Sequence, residues 1–184
     1  MKKITALVLA AALLGITLAA CGDTTTTNND DNDVTRTTQV APTPAPTGEA
    51  NHTFMFNNVE ITMGALPDPV LAALGPALDE MREPNCAIEG EDVTLRFPGM
   101  ILNLTYPADG TAPFIVSVSL IDDSVGTPEG LYIGAPAADI ARLYGQYDRE
   151  VNGFYYFNQG RSTLEIAVRD GVVVQIIYQY LFLD

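Results

Sequence analysis

The sequence predicts an α+β fold of two tandem units, each a short helix followed by an antiparallel meander, with the helices packed on one face of the sheet. Three observations carry this expectation. Met63-Gly64-Ala65 returns as Ile133-Gly134-Ala135, and each glycine is followed eleven positions later by a second one, Gly75 or Gly145. Between the paired glycines the apolar residues recur with a helical period near 3.6, and beyond them the period falls to 2. Turn pairs then punctuate the alternating segments at short intervals, as in a meander.

Taken in order, residues 1–20 read as a signal peptide. Lys2 and Lys3 precede an apolar run from Ala6 to Ala20 that is too short to span a bilayer comfortably. Leu18-Ala19-Ala20-Cys21 resembles the lipobox of bacterial lipoproteins. The resemblance implies that the Cys21 thiol receives a diacylglyceryl group and that Cys21 becomes the N-terminus after cleavage. Two acyl chains hold a membrane where one would hold only marginally, because each buried methylene contributes about 0.8 kcal/mol. The expected location is the extracytoplasmic face of the cell membrane.

Residues 21–50 form the lipidated N-terminus and a linker. Thr, Asn and Asp dominate up to Thr38, and a Val40-Ala41-Pro42-Thr43-Pro44-Ala45-Pro46-Thr47-Gly48 run follows. With almost nothing large and apolar to bury, this stretch cannot pay the entropy of folding. As a flexible coil its ends lie roughly 30 Å apart, and the prolines stiffen its distal part. Asp30, Asp31 and Asp33 lack the glycine and distal glutamate of a calcium loop and read as solvated charge.

The first unit is expected over residues 51–121, a connector over 122–130 and the second unit over 131–184. In the first, Asp68 is placed to cap a helix with Pro69 at its first position, Val70, Leu71 and Leu74 form the apolar stripe, and Gly75 ends it. In the second, Pro136 opens the helix, Asp139 favours the dipole in its first turn, Ile140, Leu143 and Tyr144 face inward, and Gly145 stops it. Alternation predicts strands near 93–97, 100–106 and 114–121, then near 147–151, 154–158, 162–168 and 172–181. Asn152-Gly153, Gln159-Gly160 and Asp170-Gly171 supply hairpin turns in the second unit.

This Ile-Gly-Ala…Leu-Tyr-Gly pattern, a short strand, a glycine, a helix and a closing glycine before three or four strands, resembles the tandem-repeat β-lactamase-inhibitor proteins and the small lipoproteins of outer-membrane assembly. With the lipobox and the Thr-Pro linker, it is most similar to uncharacterised surface lipoproteins of Gram-positive gut bacteria. The resemblance implies the tandem fold. The secreted inhibitors carry a disulfide in each repeat, whereas here Cys86 has no partner once Cys21 is assigned to lipid.

Charge narrows the partners. Removal of residues 1–20 leaves seven arginines and no lysine against twenty-three acidic side chains, a formal charge of −16. Nucleic acid needs clustered cations and is excluded as a partner, and an anionic lipid surface repels the chain. No metal site, cofactor motif or catalytic residue is expected: His52 is the sole histidine, and Glu89, Glu91, Asp92 and the Asp122-Asp123 pair fall in predicted turns or at their edges without a partner acid or base. Asn103-Leu104-Thr105 matches a glycosylation sequon but lies inside a predicted strand.

Alternation assigns Val93, Leu95, Phe97, Leu102, Leu104, Tyr106, Val116, Val118, Leu120, Leu164, Ile166, Val168, Val174, Ile176 and Tyr178 to the core. The opposite face is expected to carry Thr94, Arg96, Asn103, Thr105, Ser117, Ser119, Thr163, Glu165, Gln175 and Gln179, a surface of hydroxyl and amide groups with few charges. One pair of aromatics from Phe154-Tyr155-Tyr156-Phe157 must join it, and alternation leaves open which, so both Tyr155 and Tyr156 are candidates. Arg96, Asn103, Thr105, Tyr155, Tyr156, Glu165, Gln175 and Gln179 form the candidate binding face, suited to a protein or glycan. The functional expectation is a membrane-anchored, non-catalytic binding module. The alternatives are a cell-envelope enzyme or, by fold analogy, an enzyme inhibitor.

Overall fold

A computed structural model describes residues 50–85 and 87–182. The signal peptide, Cys21, the linker through residue 49, Cys86 and the last two residues lie outside the described residues. Among the described residues no helix is long and apolar enough to cross a membrane.

The chain starts with a hairpin, β1 (Thr53–Phe56) and β2 (Val59–Thr62), closed by Asn57 and Asn58, both at positive φ. That geometry suits a two-residue turn whose twist matches its strands, and asparagine tolerates it. Helix α1 (Pro67–Leu74) follows, then β3 (Asp79–Pro84), β4 (Gly90–Phe97), β5 (Met100–Pro107) and β6 (Phe114–Leu120). After the connector come α2 (Ala138–Tyr144), β7 (Arg149–Val151), β8 (Phe154–Gln159), β9 (Ser162–Arg169) and β10 (Val172–Tyr180).

All eight strands from β3 onward belong to one antiparallel sheet in the order β3-β4-β5-β6-β10-β9-β8-β7. Each meander ends on its last strand, and these two strands, β6 and β10, pair at the centre. The glycine repeat has an equivalent place in both halves. Gly64 donates its N–H to the carbonyl of Ile115 on β6 and Ala65 accepts from Ile115, while Gly134 and Ala135 bond Val173 on β10 in the same way. Gly75 and Gly145 close their helices at φ of 74° and 73°.

The α+β expectation is corrected: the fold is mostly β, with 50% of it in strands and 11% in helix. The reason lies in helix length. Helices α1 and α2 have eight and seven residues, about two turns each, and bury only Pro67, Val70 and Ile140. Isolated turns of that size cannot form a layer. Much of the core opposite the sheet is instead the β1–β2 hairpin and loop residues, with Phe54, Ile61, Met63 and Leu131 fully buried. Nor does Asp68 cap α1, which begins one residue earlier at Pro67 with no side-chain cap.

Two strands escaped the alternation pattern. Strand β3 is exposed along its whole length and carries Asp79, Glu80, Arg82 and Glu83, so it shows no apolar period. Its charges protect an open sheet edge from pairing with another chain. The single strand implied ahead of Gly64 is a complete hairpin. Two β-bulges also shift the face assignment. On β6 the bulge turns Ile115 into the core in place of Val116, and on β10 it turns Val173 inward and leaves Val174 39% exposed. An extra residue in one strand reverses the alternation beyond it, and the two bulges occupy matching places, next to the residues that bond Gly64 and Gly134.

The N-terminal end of the domain is stitched to the second meander. Asn51 Oδ1 accepts from the Arg161 N–H at 2.7 Å, and the His52 N–H donates to Ser162 Oγ at 2.7 Å. Asn51 Nδ2 also donates to the carbonyl of Met63.

Candidate functional site

The side of the sheet opposite the core holds most of the predicted face, but as two patches. One row crosses six strands as Arg96, Ile101, Ser119, Ile177, Glu165 and Tyr156. Strands lie about 4.8 Å apart, so Arg96 and Glu165 are separated by roughly 19 Å. Two isoleucines, both absent from the sequence-derived face, lie on this row between them.

The first patch centres on β4, β5 and β6. Thr94 Oγ1 donates to Asn103 Oδ1 at 2.8 Å, and Asn103 Nδ2 donates to Ser117 Oγ at 2.9 Å. Beside this ladder, Asp92 Oδ1 accepts from Thr105 Oγ1 at 2.6 Å and from Asn85 Nδ2 at 2.9 Å. These bonds fix the amide of Asn103 and bury Thr105 almost completely. A recess of about 210 Å³ opens here between Asp92, Asn103, Ser117, Val116 and Phe182. Val116 lines it because of the bulge, and Phe182, which contacts Phe114 with ring centroids 5.0 Å apart, supplies an aromatic wall. Arg96 stands exposed on the same strand as Thr94.

The second patch is formed by β8, β9 and β10. Gln175 Nε2 donates to Glu165 Oε1 at 2.9 Å, and Tyr156, opposite Glu165, lies under the Arg149 guanidinium at 4.1 Å. Gln179 is exposed opposite Thr163 and Ser117. The open question among the four aromatics resolves to Phe154 and Tyr156. Phe157 is buried, and Tyr155 pairs with Ile166, packs against the core and meets Tyr147 edge-on. Tyr155 is therefore removed from the candidate face.

A third site was not expected at all. A cleft of about 600 Å³ lies between residues 50–53, Glu129, the end of α2 and strands β8 to β10. His52 Nε2–H donates to the carbonyl of Phe157 at 2.8 Å. The Tyr144 hydroxyl is hydrogen-bonded to Thr127 Oγ1 at 2.6 Å and Glu129 Oε2 at 2.9 Å. Asp148 Oδ2 accepts from the Asn158 N–H at 2.6 Å. The Tyr178 side chain is 2% exposed, yet among the described residues its hydroxyl has no hydrogen-bond partner. A buried polar group left so costs about 1–3 kcal/mol. Burial holds both tyrosine hydroxyls well above their ordinary pKa.

Comparison with protein-family models, curated proteins and solved structures finds no match to this chain. The three sites are therefore judged on geometry. Among the described residues no three His, Cys, Asp or Glu side chains cluster closely enough to hold a metal ion.

Sequence reasoning missed the cleft because its parts come from places far apart in the chain. His52 looked isolated at the linker edge, and only the 105-residue reach to Phe157 gives it surroundings. Burial lowers its pKa below the ordinary 6.5, against the smaller opposing pull of the Phe157 carbonyl and the charges of Glu129 and Asp148. The neutral ring is thus favoured by folding, and the unfolded chain binds the proton more tightly. Its contribution to stability is complete above pH 6.5 and is lost as pH falls through the lower folded-state value. Urea titrations at pH 7 and pH 5 are expected to show a smaller loss on acidification for His52→Gln than for the parent.

Proposed function

We propose that this chain is a membrane-anchored extracytoplasmic lipoprotein whose β domain is a non-catalytic binding module for a protein or glycan. The observation that supports it best is the Thr94–Asn103–Ser117 ladder beside an aromatic-walled recess on the outer face of the sheet. A surface wired in this way holds its donors and acceptors in fixed positions, so a partner meets them without ordering them first. Arg96 flanks the ladder and supplies a planar cation of the kind enriched at interface centres. The lipid on Cys21 and the proline-stiffened linker would display this face some tens of Å from the membrane.

Anchoring is tested by fractionation. The parent chain is expected in the membrane pellet and in the detergent phase of a phase separation, and Cys21→Ser in the soluble fraction. Equal partition of the two would refute the anchor. Binding is tested with arrayed glycans and cell-envelope proteins: Asn103→Ala and Arg96→Ala are expected to weaken any captured partner by tenfold or more, about 1.4 kcal/mol, while Arg96→Ala, at an exposed position, moves the unfolding midpoint little. A partner that binds both variants as it binds the parent uses some other surface.

A further inference from the structure

We propose that the cleft bounded by His52, Glu129, Tyr144, Asp148, Phe157 and Tyr178 binds a small organic cation carrying an ammonium group. This site is separate from the sheet face and does not depend on it. Its charge is of one sign: two carboxylates stand at the cleft, and among the described residues neither lysine nor arginine lines it. Among the described residues each carboxylate is held through one oxygen, Glu129 by the Tyr144 hydroxyl and Asp148 by the Asn158 N–H, which leaves the other oxygen of each to accept from a ligand. Anions such as phosphates or carboxylates are repelled by this arrangement.

The walls suit the rest of such a ligand. Tyr144 and Phe157 pack with centroids 5.2 Å apart, and His52 meets Tyr178 edge-on at 5.8 Å. Ring faces attract cations as well as apolar surface. An independent observation points the same way: the buried Tyr178 hydroxyl, which lines the cleft with Tyr144 and Glu129, makes no hydrogen bond of normal geometry among the described residues, so its oxygen can accept from an ammonium N–H. The His52 ring donates through Nε2 to the Phe157 carbonyl, and burial lowers its pKa below the ordinary value, so at neutral pH it does not cancel the two carboxylates. The volume falls in the range of small-molecule sites. Because the carboxylates do not converge with a third ligand on one point, the arrangement fits a dispersed organic cation better than a metal ion.

The test uses the full chain in detergent, titrated calorimetrically with 2-phenylethylamine, putrescine and choline, and with 2-phenylethanol and methyl glucoside as neutral controls. At least one amine is expected to bind tenfold or more tightly than the neutral compounds, with affinity falling as salt is raised. Glu129→Gln and Asp148→Asn should each weaken that amine at least fivefold. Tyr178→Phe should weaken it at least threefold while leaving the unfolding midpoint of the free chain unchanged or higher, which a purely structural role for the hydroxyl would not give. No binding by any amine up to about 10 mM, a concentration at which even a weak site fills, overturns the proposal. So does equal or tighter binding of the glucoside or the alcohol, or full affinity in both carboxylate variants.

Discussion

Phe54→Ala is expected to lower the unfolding free energy by about 3–5 kcal/mol, the range for a large buried aromatic truncated in a close-packed core. Phe54 is fully buried, pairs with Ile61 across the β1–β2 hairpin and packs against the ring of Tyr178 on β10 at 5.5 Å. Most of the margin of an ordinary domain would be consumed. Met55→Ala, one residue along and 39% exposed on the other side of the strand, is expected to stay within about 0.5 kcal/mol of the parent. Urea unfolding followed by circular dichroism measures both, and equal midpoints for the two variants would mean that the hairpin is not part of the cooperative core.

The paired glycines give the second large effect. Gly64 and Gly134 share a positive φ, 80° and 96°, where any other residue costs on the order of 1–3 kcal/mol in strain. Their surroundings differ. A Cβ on Gly64 would stand 2.6 Å from Cε2 of Tyr180 and within 2.9 Å of two further ring atoms, whereas a Cβ on Gly134 meets nothing within 4 Å. Tyr180 can move only by leaving Phe114 and the Arg161 guanidinium. Gly64→Ala should therefore lose about 1–3 kcal/mol beyond the loss in Gly134→Ala, the usual cost of overfilling a packed site. Thermal melts of the two variants side by side decide it, and a Gly134 variant as damaged as the Gly64 one would place the whole effect in the backbone.

Much of the sheet was legible in the sequence because it follows local rules. Asn152-Gly153 and Asp170-Gly171 turn the chain where expected, and the seven strands read from alternation differ from those observed by only a few residues at their ends. The helices were legible as turns but not as a minor component of the fold. Val70 and Ile140 have helical neighbours in sequence, yet no local signal says that eight residues will pack beside a hairpin rather than build a layer. Strand β3 hid because an exposed charged edge has no period to detect. Val116 and Val174 were assigned to the core because a bulge is invisible to a strict period of two. The candidate face came from the same rule: alternation sorts side chains within a strand but not which strands lie side by side, so it could not show Ile101 and Ile177 between the patches, nor which way Tyr155 turns. The cleft at His52 lay wholly beyond local reading, since nothing near His52 in sequence announces Tyr144, Asp148 or Tyr178.

The stitch between Asn51, His52 and the turn at Arg161 and Ser162 has a bearing on how the chain folds. It joins residues 110 positions apart, so it closes only once the β8–β9 turn has been made. The first meander pairs mostly through near neighbours, and β3 to β6 can assemble as soon as they emerge. Its central strand, β6, must then wait for β10, some 56 residues later by the Leu120–Ile176 pairing. Long-range closures of this kind slow folding, which for β-rich domains runs to milliseconds or seconds. A chain emerging N-terminus first would hold an unpaired β6 edge during that interval.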